Sequence, residues 1–220
     1  MARQRAAARA AIAVLVFTVL ASTSGNAQGA QSVAHRANYG VLAGINFATL
    51  SGNDIQDAKT RTGLTAGAYA ALPIGTGVSF QPELWYSMEG AKSNTSENGE
   101  LKLSYIRLPV MLRFAVPTAG TTRPFLAVGP SFGFQTSCKF SGSSGGVSAS
   151  VACDDVGSSV GEGVGRKKFD VSGRLEGGLT FDTGGRRLIV GGSYSHGFTD
   201  IFKNSDGKNR VFSIFVGVGL

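Results

Sequence analysis

The chain has 220 residues, a formal net charge of +7, 32 glycines and only 16% charged residues. Glycine costs about 1 kcal/mol against alanine inside a helix, so this composition excludes a helical bundle and favours sheets and turns. The basic residues are scattered, not gathered into a stripe, which gives no reason to expect nucleic acid as a partner.

Residues 1–27 read as a secretion signal that is cleaved after Ala27. Arg3, Arg5 and Arg9 form a basic start, and Ala10 to Ala21 form an apolar core. Gly25-Asn26-Ala27 puts small residues where a signal peptidase reads. The apolar run is too short to span a bilayer comfortably as a helix. Cleavage removes three arginines and no acid, lowering the net charge from +7 to +4. Residues 28–37 read as a short disordered leader, and residues 38–220 as one domain.

From Tyr39 onward the apolar pattern has period two, the signature of strands with two unlike faces. In the first, Tyr39, Val41, Ala43, Ile45 and Phe47 oppose Gly40, Leu42, Gly44 and Asn46. The second runs from Leu64 to Leu72. The third sets Val78, Phe80, Pro82, Leu84, Tyr86 and Met88 against Gln81, Glu83, Trp85, Ser87 and Glu89. The fourth sets Ile106, Leu108, Val110, Leu112 and Phe114 against Tyr105, Arg107, Met111 and Arg113. The fifth covers Leu126 to Gln135. The sixth, Phe169 to Phe181, has Asp170, Arg174 and Glu176 on its polar face. The seventh, Arg187 to Phe198, carries Arg187, Ser193 and Ser195 on that face. The eighth ends the chain with Phe212, Ile214, Val216, Val218 and Leu220 on its apolar face.

Eight candidate strands are joined by connections of alternating length. Pro73 to Gly77, Pro117 to Thr122 and Thr183 to Gly185 are short. Leu50 to Thr62, Ser93 to Glu100, Cys138 to Gly165 and Lys203 to Lys208 are longer and polar. Short turns on one side and long loops on the other are the pattern of an outer-membrane barrel. No apolar run after residue 27 is long enough for a membrane helix, so a membrane-embedded mature chain must form a closed barrel. The expected fold is all-β: an eight-stranded antiparallel up-and-down transmembrane β-barrel.

A membrane barrel puts its apolar band against lipid and its polar face inside. On that reading Phe212, Ile214, Val216, Val218 and Leu220 face lipid, and a lumen charge network comprises Glu83, Glu89, Arg107, Arg113, Asp170, Arg174, Glu176 and Arg187. Neighbouring strands three and four let Glu83 or Glu89 face Arg107 or Arg113, and arginine suits the role through its paired hydrogen bonds to carboxylates. Eight strands enclose an interior that side chains just fill, which excludes a wide diffusion pore. Tyr39, Tyr86 and Tyr194 point outward on this register; Trp85 and Tyr105 point inward.

The stretches YGVLAGINFATLSG, GVSFQPELWYSMEGAK, YIRLPVMLRF, RPFLAVGPSFGF and YSHGFTDI, in that order, resemble the outer-membrane β-barrel domain family, the porin-like or PorT-like barrels. The resemblance covers most of residues 38–220. It implies an outer-membrane location in a Gram-negative-type envelope and an eight-stranded barrel, with no defined activity. The terminal strand is similar to the signal read by the barrel assembly machinery, although Leu220 stands where that pattern prefers an aromatic residue. Outer-membrane lipid and the assembly machinery are therefore expected partners.

Cys138 and Cys153 flank a Ser/Gly-rich stretch in an exported chain, so a disulfide is expected. In the chain-entropy model such a closure contributes about 3 kcal/mol. Two cysteines at this spacing, without nearby histidine, do not make a zinc site. Asp154 and Asp155 are too few for calcium, and Gly161 to Gly165 lies between no strand and helix, so it is not a phosphate loop. No metal or cofactor is expected. His196 lies close in sequence to Ser193 and Ser195, with Glu176 on the preceding strand, a set that would suit acyl transfer. The period-two pattern sends His196 outward and the others inward, so no enzymatic activity is expected. The reading is a structural or surface-interaction protein whose external loops meet an extracellular ligand or surface partner. The alternatives are a soluble lipocalin-like carrier and an outer-membrane lipid-modifying enzyme.

Overall fold

The computed structural model describes residues 37–52, 58–93, 99–144, 147–153, 167–202 and 205–220. The signal (residues 1–27) and nearly all of the leader lie outside the described residues, as do Asp154, Asp155 and Gly161 to Gly165.

The described chain is almost entirely strand: β1 (Asn38–Ser51), β2 (Lys59–Gly75), β3 (Val78–Lys92), β4 (Glu100–Ala115), β5 (Thr122–Ser144), β6 (Val147–Ala152), β7 (Phe169–Thr183), β8 (Arg186–Phe202) and β9 (Ser205–Gly219). Each of the eight longer strands pairs antiparallel with its neighbours in the order β4-β3-β2-β1-β9-β8-β7-β5, and β5 returns to β4. That last pairing closes an eight-stranded up-and-down barrel. The seam between β1 and β9 is a long ladder from Gly40↔Gly219 to Ser51↔Lys208.

Local chemistry sets the turns. Gly184 and Gly185 both have positive φ, 56° and 90°. They join Thr183 to Arg186 as a two-residue hairpin, the connection whose twist matches that of the flanking strands. At this end β2 meets β3 through Thr76 and Gly77, the latter also at positive φ. All the short connections fall at the end where β1 starts and β9 finishes. The long connections fall at the other end.

Two of those long connections differ from the expectation. Residues 205–208 belong to β9, so the β8–β9 connection shrinks to residues 203–204. The expected loop from Cys138 is a ladder at first: β5 continues to Ser144 and pairs with β6 from Lys139↔Ala152 to Ser144↔Val147. The cause is the edge that β7 leaves bare. β7 pairs with β5 only as far as Phe134↔Phe169, and β6 takes up the remaining backbone groups of β5.

The two faces of the barrel are inverted relative to a soluble protein. Val41, Leu64, Leu126, Ile214 and Val216 point outward and are each more than half exposed. Glu83, Glu89, Arg107, Asp170 and Glu176 point inward and are buried. A soluble carrier barrel needs the opposite arrangement. Exposed apolar surface on this scale is stable only against lipid. Phe212, Ile214, Val216, Val218 and Leu220 all lie on this outer face.

The interior differs in one respect from the polar lumen expected. At the short-turn end it is apolar, filled by Leu42, Tyr69, Ala71, Trp85, Phe125, Ile189 and Phe215. Trp85 meets Phe215 edge to face with ring centroids 5.9 Å apart. Gly191 makes room for this layer: a Cβ there would stand 2.8 Å from the Phe215 ring. At the long-connection end Leu101, Leu103, Tyr105, Cys138 and Ile201 form a second apolar layer. The charges lie between the two.

Candidate functional site

Two features rise above the plain barrel: the charged middle of the lumen and the β5–β6 hairpin.

In the upper part of the lumen, Arg107 on β4 is held by two strands at once. Its Nε and Nη2 donate to the two carboxylate oxygens of Glu89 on β3, at 2.5 and 2.6 Å, and Nη2 also donates to Asp170 on β7 at 2.8 Å. Asn209 on β9 donates to the same carboxylate of Glu89. Ser87 donates to Glu89 at 2.7 Å, Asn46 to Ser87 at 2.8 Å, and Ser213 to Asn46 at 2.8 Å. Thr199 on β8 donates to Asp170 at 2.9 Å. One hydrogen-bonded chain therefore reaches β9, β1, β3, β4, β7 and β8. Gly133 on β5 leaves the space that the guanidinium fills, since a Cβ there would lie 2.8 Å from Arg107 Nη1.

The lower group is separate. Arg113 Nη1 donates to Gln81 at 3.0 Å, Gln81 donates to Glu83 at 2.6 Å, and Trp85 Nε1 donates to the other Glu83 oxygen at 2.7 Å. Arg174 Nε donates to Glu176 at 2.6 Å. The Arg113 guanidinium lies 3.8 Å from the Phe125 ring centroid, and that of Arg174 lies 5.2 Å from Trp85. Cations over aromatic faces gain from the ring quadrupole when water is excluded.

The structure thus brings Glu89, Arg107 and Asp170 into direct contact, joins Arg113 to Glu83 through Gln81, and pairs Arg174 with Glu176. Glu83 does not touch Arg113, because the shorter route is taken by the amide of Gln81. Arg187 does not belong to this lumen group. It sits near the short-turn rim, about a third exposed, with its Nε 2.8 Å from Asp182. The alternation assigned its face correctly, but its height on β8, one residue from the turn, puts it in solvent, where such pairs are worth little.

His196 lies on the outward side between the rings of Tyr194 and Phe198, with centroids 6.5 and 6.1 Å away. Ser193, Ser195 and Glu176 are buried on the inward side. The sheet separates the imidazole from both hydroxyls.

Cys138 and Cys153 are bonded, with Cα atoms 5.5 Å apart. The bond continues the β5–β6 ladder by one more step past Lys139↔Ala152. A shift in register between Ser104 and Tyr105, where Thr136 on β5 is the extra residue, reverses the alternation of β5 above that point. Such bulges re-aim side chains. Here the bulge turns Cys138 inward, opposite Leu103, so the staple is anchored in the upper apolar layer and not in lipid. Nothing in the run of residues announces the extra one; only the pairing with β4 shows it.

With a closed barrel, an outward apolar band and a buried charged lumen in view, the comparison with known sequences is decisive. A family model described as outer membrane protein beta-barrel domain matches residues 26–203. The chain belongs to that family. Its place is accordingly the outer membrane. No curated protein sequence matches the chain. Among solved structures, Neisserial surface protein A is 15% identical with a TM-score of 0.49, covering 83% of this chain and 96% of that one. Ail, the attachment invasion locus protein of Yersinia pestis, is 13% identical with a TM-score of 0.44, covering 84% and 99%. The outer membrane enzyme PagL is 12% identical with a TM-score of 0.41, covering 79% and 97%.

Proposed function

We propose that this outer-membrane barrel is a non-enzymatic scaffold for surface interaction: its external connections, led by the β5–β6 hairpin, bind a ligand or partner outside the cell. The observation that carries this reading is the hairpin itself. β5 runs beyond its last pairing with β7 and carries β6 with it, and Cys138–Cys153 fastens the pair at its base. A bare strand edge would be a liability, and a stapled two-stranded arm is a rigid platform for contacts. The membrane needs strands of only about 9–11 residues. β5 has 23, so its upper part lies beyond any bilayer requirement.

The lumen supports the same reading from the other direction. Its middle is bridged by ion pairs and both ends are filled by apolar side chains, which leaves transport of bulky solutes without a route. The proposed path to the membrane is export by residues 1–27, cleavage after Ala27, and insertion by the barrel assembly machinery, which reads the outward alternation of Phe212, Ile214, Val216, Val218 and Leu220.

The test replaces residues 140–151 by Asn-Gly, leaving the disulfide and the barrel strands in place. Cells carrying the variant should lose adhesion to immobilised extracellular glycans and proteins to which parent cells bind. Heat-modifiable gel migration checks that the variant barrel is folded. Undiminished adhesion by a folded variant would remove the hairpin from the proposal.

A further inference from the structure

We propose that a row of four outward lysines at the long-connection end binds the phosphate groups of anionic membrane lipids. Lys59, Lys92, Lys102 and Lys139 stand on β2, β3, β4 and β5, four adjacent strands. The register puts Lys59 directly opposite Lys92 and Lys102 directly opposite Lys139. Like charges placed directly across a ladder destabilise it, so the fold carries two repulsive pairs that an anion would relieve. The carboxylate within the row is Glu100, opposite Lys92, and it is already engaged by Arg61 at 2.7 Å and Lys102 at 3.3 Å. Lys59, Lys92 and Lys139 are exposed and make no ion pair among the described residues.

Two further observations select a lipid over a soluble anion. Lys139 owes its outward direction to the same bulge at Thr136 that turns Cys138 inward. The row also stands over outward apolar side chains: Tyr86 on β3, Ile106 on β4 and Phe134 on β5, exposed by 45%, 41% and 47%. Ile106 lies four residues below Lys102, roughly 13 Å along the strand. Phosphates at the lysines and acyl chains on those side chains accommodate both halves of one amphipathic molecule. Basic residues at this depth attract anionic headgroups.

The test uses delipidated, folded protein in zwitterionic detergent, with phosphatidic acid and phosphatidylcholine as probes and native mass spectrometry as readout. The parent should retain phosphatidic acid, and the double variant Lys92→Gln/Lys102→Gln should bind it about thirty-fold more weakly. Phosphatidylcholine should bind both equally. Melting gives a second reading. Without anionic lipid the variant should melt no lower than the parent; with phosphatidic acid the parent should melt higher. Lys59→Gln/Lys139→Gln serves as an independent pair should the first variant fail to fold. Equal phosphatidic acid binding by parent and folded variants would overturn the proposal. So would a parent that binds inorganic phosphate or a soluble sulfated oligosaccharide as well as it binds the lipid. Either result is independent of hairpin-dependent adhesion.

Discussion

Arg107 serves two carboxylates from one guanidinium, and this makes it the most consequential single side chain in the lumen. Removing one partner of a buried ion pair costs about 3–5 kcal/mol, because the other charge is left without compensation. Arg107→Ala strands both Glu89 and Asp170, so a loss at or above that range is expected in urea unfolding from lipid vesicles; an unchanged midpoint would refute the ion-pair account. Arg107→Lys should recover only part of the loss, because an ammonium cannot place two parallel hydrogen bonds on Glu89. Gly133→Ala probes the same group from the far wall. Its new methyl competes with Nη1 for one position, and overpacking of this kind costs about 1–3 kcal/mol. Full stability in Gly133→Ala would mean that Arg107 has a second place to lie. The pairing of Arg107 with Glu89 was readable from neighbouring strands alone. Its contact with Asp170 was not, because β7 reaches β4 only across the closed lumen.

The strands were largely legible for a simple reason. Alternation reports a two-faced environment directly, and in this chain it persists with little interruption from Tyr39 to Phe47, from Val78 to Glu89 and from Phe212 to Leu220. The β5–β6 arm was hidden because KFSGSSGG has the composition of a loop, and its pairing depends on an edge that β7 vacates. The bulge at Thr136 was hidden for a related reason: an extra residue is defined only against the strand opposite. The staple at the base of the arm allows a local test. In Cys138→Ser/Cys153→Ser the loop-closure contribution of about 3 kcal/mol disappears, but the ladders of β1–β4 and β7–β9 keep every partner. Hydrogen exchange should accelerate from Cys138 to Cys153 and stay slow in the barrel. Uniform acceleration across all strands would show that the arm is integral to the barrel's stability.

At the scale of the whole molecule, the lumen is a stack: an apolar layer with Trp85 and Phe215, a charged middle, and an apolar layer with Leu101 and Leu103. Planar-bilayer recordings of the folded protein should therefore be silent, since a dry apolar constriction resists ions. Resolved single-channel steps in the parent would contradict the filled lumen. The outward band and the inward charges were both readable in the sequence; the two apolar layers were read only as scattered exceptions on the polar face, because residues such as Leu42, Trp85 and Phe215 come together from strands far apart in the chain.

The seam between β1 and β9 carries a further implication. Gly40 and Gly219 are ladder partners, so nearly the whole chain must be made before the cylinder can shut. Until then β1 presents an open row of amides and carbonyls, and hydrocarbon offers them nothing. A ribosome-tethered or truncated copy is thus not a smaller barrel but an object without a solvent. Production of this protein is an all-or-none event, and escort of the unfinished chain is as much a requirement of its architecture as any contact in the finished one.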